Sequence, residues 1–133
     1  MTTQLNTHLY FETECRDAMT HYQAVFGGEL EVNTFGDFGM EGDPNKVLHA
    51  SLRFSDGLVL MAGDVTVGST ARTGGSVSIS GDDEATLRGW FDALAGDGEV
   101  HMPLEKQMWG GQFGQCADRF GITWLVNIGP SES

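Results

Sequence analysis

The side chains of this chain best suited to chemistry are its four histidines, two cysteines and one tryptophan set among glycines. His8 lies in Leu5–Phe11, where Leu5, Thr7, Leu9 and Phe11 alternate with Asn6, His8 and Tyr10. Such alternation marks a strand with one apolar face, and it puts His8 and Tyr10 together on the other. An imidazole titrating near neutrality there can serve as a general base or as a hydrogen-bonding anchor for a ligand. His49 opens a second expected strand, His21 falls off the apolar stripe of a helix, and His101 lies on a strand of undefined parity. A site of His8 with His49, His101 and Glu105 stays open, although no spacing argues for it. Cys15, beside Arg16, stands where a helix should begin, a place that favours thiolate. Trp109, followed by Gly110-Gly111, can act as a lid whose indole stacks on a ligand, or as a plain hydrophobic anchor. No glycine-rich phosphate loop, Ser-His-Asp order or Cys-x-x-Cys pair occurs.

Positioning these residues requires a scaffold, and the chain spells one out twice. Cys15–Phe26 carries Ala18, Met19, Tyr22, Val25 and Phe26 at helical spacing, with Thr13 as the expected N-cap and Gly27-Gly28 as the stop. Glu29–Phe35 reads as a strand, 36–45 as a loop, and Lys46–Phe54 with Leu58–Ala62 as a hairpin around Ser55-Asp56-Gly57. After a linker at 65–74 the pattern restarts. Ser76–Ser80 alternates strictly, and Asp82 or Asp83 caps a helix whose core positions are Leu87, Trp90, Phe91 and Leu94, ending at Gly96. Glu99–Lys106 and a closing hairpin through Asp118-Arg119-Phe120-Gly121 to Ile122–Ile128 complete it. Tyr22 lies over Phe91, Val25 over Leu94, Gly27 over Gly96, and Gly57 over Gly121. Both halves read β-α-β-β-β, so the chain is a repeat.

The charge balance narrows the partners. Nineteen acidic residues against 7 basic ones give −12 over 133 residues, which repels nucleic acid and anionic membrane. No run approaches the roughly 18 apolar residues of a membrane helix, and the N-terminus lacks a signal-peptide core. A cytoplasmic location follows as the expectation, with Cys15 and Cys116 as free thiols.

Leu9-Tyr10-Phe11 before Cys15-Arg16-Asp17-Ala18, Tyr22 through Val25-Phe26-Gly27-Gly28, and His49-Ala50-Ser51-Leu52 with Leu60-Met61-Ala62-Gly63-Asp64 carry a resemblance. So do Trp109-Gly110, Phe113-Gly114 and Asp118 through Trp124. With these residues the chain resembles the vicinal oxygen chelate superfamily of glyoxalase I, bleomycin-resistance proteins and extradiol dioxygenases. It is most similar to its PhnB-like, demethylubiquinone methyltransferase-like branch. The resemblance implies an α+β fold of paired βαβββ modules, about 3–64 and 75–129, whose curved sheets enclose a cleft. It also implies a homodimer.

If helices cover the apolar sheet faces, then Leu9/Phe11, Leu58/Leu60, Val77/Ile79 and Ile122/Trp124/Val126 face them. Asn6, His8, Tyr10, Val59, Met61, Ser76, Ser78, Ser80, Thr123, Leu125 and Asn127 then take the opposite face. Metal-using members of the superfamily draw one ligand from the first and one from the last strand of each module. The matching positions here are Asn6 or His8, Met61, Ser76 and Leu125, a poor set for a dication. The expectation is therefore a small-molecule-binding protein of the glyoxalase and bleomycin-resistance type, without cofactor or metal. Its ligand would contact His8, Tyr10, Met61, Ser76, Ser78, Trp109, Thr123 and Leu125. An enzyme acting on a small oxygenated or carbonyl substrate, with catalytic His8 as base, is the alternative, and a ligand-free structural or regulatory dimer the other. The methyltransferase label finds no nucleoside-binding loop to support it.

Overall fold

The computed structural model describes residues 3, 5–55, 57–65 and 73–129. Most of the expected 65–74 linker, and Asp56 of the first hairpin turn, lie outside the described residues. Within them the chain forms two compact units that divide between Gly74 and Gly75.

The first unit runs β1 (Thr7–Phe11), α1 (Cys15–Phe26), β2 (Glu29–Thr34), a 3-10 turn (Gly36–Phe38), β3 (Val47–Phe54) and β4 (Leu58–Asp64). Its sheet has the order β1-β4-β3-β2, with β1 parallel to β4 and the other pairs antiparallel. The second unit repeats the plan as β5 (Gly75–Gly81), α2 (Glu84–Gly96), β6 (Glu99–Lys106), β7 (Gln112–Ala117) and β8 (Ile122–Ile128). Its sheet order, β5-β8-β7-β6, matches the first unit strand for strand. This is the α+β architecture of paired βαβββ modules that the repeat implies.

Each helix lies on one sheet face because its apolar stripe has only that surface to cover. In the first unit Ala18, Met19, Tyr22 and Phe26 of α1 are buried with Leu9, Phe11, Ala50, Leu52, Leu60 and Ala62 of the sheet. In the second, Leu87, Phe91 and Leu94 of α2 are buried with Cys116, Ile122, Trp124, Val126 and Ile128. Trp90, expected in the core, is only half-buried, because it flanks the stripe that Leu87, Phe91 and Leu94 define. Two residues of the expected apolar strand faces are also corrected. Leu5 is fully exposed ahead of β1, and Leu58 stands 46% exposed at the hairpin end, beyond the reach of α1.

The helix starts differ. Asp83 caps α2 through its side chain, accepting from the Thr86 amide at 3.2 Å. At α1 no local side chain does this, and Thr13 is not the cap: the capping residue is Glu14, without a side-chain bond. Asp64, from the end of β4, accepts instead from the Cys15 amide at 3.0 Å and from the Val47 amide at 2.9 Å. One buried carboxylate thereby joins the start of α1, the start of β3 and the end of β4.

A second correspondence fixes the exits. A Cβ on Gly28 would lie 2.1 Å from the Arg53 carbonyl oxygen, and one on Gly98 would lie 1.9 Å from that of Ala117. Both glycines follow their unit's helix and pass directly against the end of the third strand, a closeness no side chain permits.

Candidate functional site: the open sheet faces

Strand pleating leaves each sheet one face without a helix, and the register states which residues share it. In the first unit His8 is paired with Met61, Tyr10 with Gly63, Ser51 with Met61 and Asn33 with His49. Their neighbours in sequence, Leu9, Ala50, Ala62 and Phe11, are the buried helix-facing set, so the expected parity of His8, Tyr10, Val59 and Met61 is the observed one. His8 and Tyr10 rings are tilted against each other with centroids 4.6 Å apart. His49 leans in from β3 to 6.0 Å from His8. Gly63 makes this approach feasible: it stands on β4 between the strands that carry the two histidines and has no side chain to separate them. His8 Cε1 lies 3.6 Å from where a Cβ of Gly63 would be. Partial burial, and secondarily the neighbouring His49, hold the His8 imidazole below the usual histidine range.

The open face of the second unit is neutral where it meets β5 and β8. Ser76 faces Thr123, Ser78 faces Leu125, and Ser80 faces Asn127. On the other side of β8, Ala117, Gln115 and Phe113 face the same three residues, and Gln115 and Phe113 thereby join a surface on which the sequence reading had not placed them. Trp109 sits in the turn between β6 and β7, more than half exposed, with its ring lying over Gly111. A cavity of about 450 Å³ opens near this turn, lined by Asp82, Glu84, Lys106 and Gln112 among others. Its walls are partly committed to one another: Glu84 accepts from Gln112 Nε2 at 2.6 Å, and Arg88 donates to Gln112 and to the Leu104 carbonyl.

The cysteines offer no nucleophile. Cys15 is fully buried and its thiol is pushed up to about 12, by burial first and then by the Asp64 carboxylate, with Arg16 opposing. Cys116 is pushed up to about 11 by burial and by Asp118. A helix N-terminus favours thiolate only where the sulfur meets solvent, which at Cys15 it does not. His101 and Glu105 both lie on β6, and His101 pairs with Glu99 at 3.6 Å.

The register also sharpens the positions that a superfamily metal would use. Asn6 precedes β1, so His8 is the β1 residue beside Met61. In the second unit Ser76 lies across from Thr123, and Ser78 from Leu125. One imidazole with a thioether, an alkyl chain and hydroxyls does not match the three or four imidazole and carboxylate donors that superfamily metal sites use. Among the described residues no group of three or more His, Cys, Asp or Glu side chains could hold a metal ion. The sequence names His49 beside His8 only as a combination for which no spacing argues, and the structure brings the two rings together. The signal was the Gly63 between them, which only the strand order 1-4-3 turns into a neighbour of both.

Known proteins share this architecture along its whole length. Protein YjdN of Escherichia coli K12 is 26% identical over 138 aligned positions, covering 93% of this chain and 94% of that protein. The crystal structure of protein PA1353 from Pseudomonas aeruginosa is 35% identical, with a TM-score of 0.85 over 98% of this chain and 100% of that one. A PhnB protein from Bacillus cereus shares the fold at 24% identity, with a TM-score of 0.73 over 96% of this chain and 100% of the other. A family model matches residues 4–126, and with it the repeat, the two sheets and their open faces acquire a family: the chain belongs to the Glyoxalase/Bleomycin resistance protein/Dioxygenase superfamily.

Proposed function

We propose that this protein binds a small, uncharged or weakly polar molecule against its open sheet faces, and does so without the superfamily's metal. The observation that carries this reading is the composition of those faces. On the first unit His8, Tyr10 and Met61 combine hydrogen-bonding groups with aromatic and thioether surface. On the second, Ser76, Ser78, Thr123 and Leu125 do the same with hydroxyls and an alkyl chain. Neither set carries a charge that would select an ionic ligand, since the carboxylates of the same faces, Glu31 on β2 and Glu105 on β6, stand on the edge strands opposite β1 and β5; mixed surfaces of this kind suit a ligand of moderate polarity. Superfamily membership supports a small-molecule-binding fold in general terms. Trp109, exposed in its turn, is a candidate lid.

A panel of uncharged aromatic and carbonyl compounds, screened by chemical-shift perturbation on labelled protein, tests the reading. Binding should move resonances of His8, Tyr10 and Met61 and be weakened in Tyr10→Ala. Perturbations confined to other surfaces, or none across the panel, would overturn it. One observation favours the enzyme reading as second: His8, held below the usual histidine range, is neutral at physiological pH and so able to accept a proton. Turnover of a carbonyl substrate that disappears in His8→Gln, with binding retained, would select it.

The protein is further proposed to act as a cytoplasmic homodimer. Strand β6 ends its sheet and exposes Val100 and Met102, both more than 40% exposed, and edges of this kind are commonly covered by pairing. Sedimentation equilibrium showing only the 14.4 kDa species at micromolar concentration would refute this.

A further inference from the structure

We infer that His8 and His49 together form a binding site for a late first-row divalent cation, in the class of Zn(II), Ni(II) or Cu(II). The site lies wholly within the first unit and differs from the superfamily set. It pairs β1 with β3, where that set uses the first and last strands of a module. It shares His8 with the small-molecule reading, and His49→Gln, which removes a metal donor alone, and Tyr10→Ala, which removes a small-molecule contact alone, keep the failure of one distinguishable from the failure of the other.

The geometry comes first. The two imidazole centroids are 6.0 Å apart, with planes inclined at 50°. Two imidazoles bound to one tetrahedral ion, with metal–nitrogen distances of about 2.0–2.1 Å, have centroids about 5 Å apart. Closing that gap takes a small side-chain rotation, which exposed His8 and half-buried His49 are free to make. Gly63, on the strand between them, puts no side chain in the way. Water would fill the remaining positions, as in any site with two protein donors.

Electrostatics decides between a cation and an anion as the occupant. Protonated, the two rings would repel each other; neutral, each offers a lone pair. A chain of net charge −12 concentrates cations and repels anions. Imidazole donors favour the later first-row ions over Mg(II) or Ca(II).

The test uses untagged, chelator-treated full-length protein titrated calorimetrically with NiCl₂ and with ZnCl₂. The expected result is one equivalent per chain with micromolar affinity. Binding should be lost in His8→Gln and in His49→Gln and kept in His101→Gln, which removes the competing His101–Glu99 pair. Because a variant could lose its fold, a second arm uses wild-type protein only. Substoichiometric Cu(II) should broaden the His8 and His49 ring resonances together, ahead of those of His21 and His101. Absence of binding, binding that survives His49→Gln, or broadening centred on His101 would each overturn the proposal.

Discussion

Asp118 accepts a hydrogen bond from the indole Nε1 of Trp124 at 2.8 Å, six residues along the chain and across the turn that joins β7 to β8. The same carboxylate takes the Phe120 amide at 2.8 Å and the Ile122 amide at 3.1 Å, and it is itself buried. One side chain thus shapes the turn and satisfies the polar edge of the largest fully buried residue. Asp118→Ala would leave three donors without this acceptor and should cost about 3 kcal/mol or more. Asp118→Asn, which keeps one carbonyl acceptor, should cost less. Urea denaturation measures both; equal stability of wild type and Asp118→Ala would show that the contacts carry no net energy.

The matched glycines give a second prediction. Gly28→Ala and Gly98→Ala each place a methyl group against a backbone carbonyl, at 2.1 and 1.9 Å. Gly28 also has φ +95°, which disfavours alanine whatever the space. Both substitutions should destabilise by about 1–3 kcal/mol or more, with Gly28→Ala the worse. Gly57→Ala, at φ +94° with nothing near its Cβ, isolates the backbone contribution and should cost only about 1 kcal/mol. Thermal melts that rank Gly57→Ala as the most harmful of the three would contradict the packing account.

Thiol chemistry should report unfolding, not function. With Cys15 near 12 and Cys116 near 11, almost no thiolate exists at pH 8, and both sulfurs are out of solvent. Reaction with a disulfide reagent should be slow in native protein and rapid in denaturant. A fast native phase of one thiol per chain would mean that one of these sites opens.

The pH dependence of His8 has a defined sign. Its folded pKa is depressed by burial and by His49, so the unfolded chain binds this proton more readily. The neutral ring therefore contributes stability above the ordinary value of 6.5, and that contribution is lost as pH falls through the folded pKa. In metal-free protein, NMR titration should find His8 below 6.5, and His49→Ala should raise it. An unshifted His8, or no response to His49→Ala, would separate the two rings.

The sequence by itself determined the repeat, the element order and, for β1, β4, β5 and β8, the side that meets a helix. All three follow from local periodicity. Val77 and Ile79 alternate with Ser76, Ser78 and Ser80, and Tyr22 and Phe91 hold the same place in two helical stripes. Alternation assigns a residue to a face even when the partner strand is unknown, because the pleat has a period of two. Asp118 and Gly121 were legible as turn residues for the same local reason.

What only the tertiary structure decided was which distant residues share a neighbourhood. The cap of α1 comes from Asp64, 49 residues away, and no rule about Thr13 or Glu14 could supply it. The exposure of Leu5 and Leu58 depends on where a strand begins and where a helix stops covering it. The meeting of His8 with His49 depends on β4 lying between β1 and β3 and on Gly63 presenting no side chain there. Strand order is set by long-range pairing that buries both helix stripes at once, and periodicity within a single strand carries no record of it.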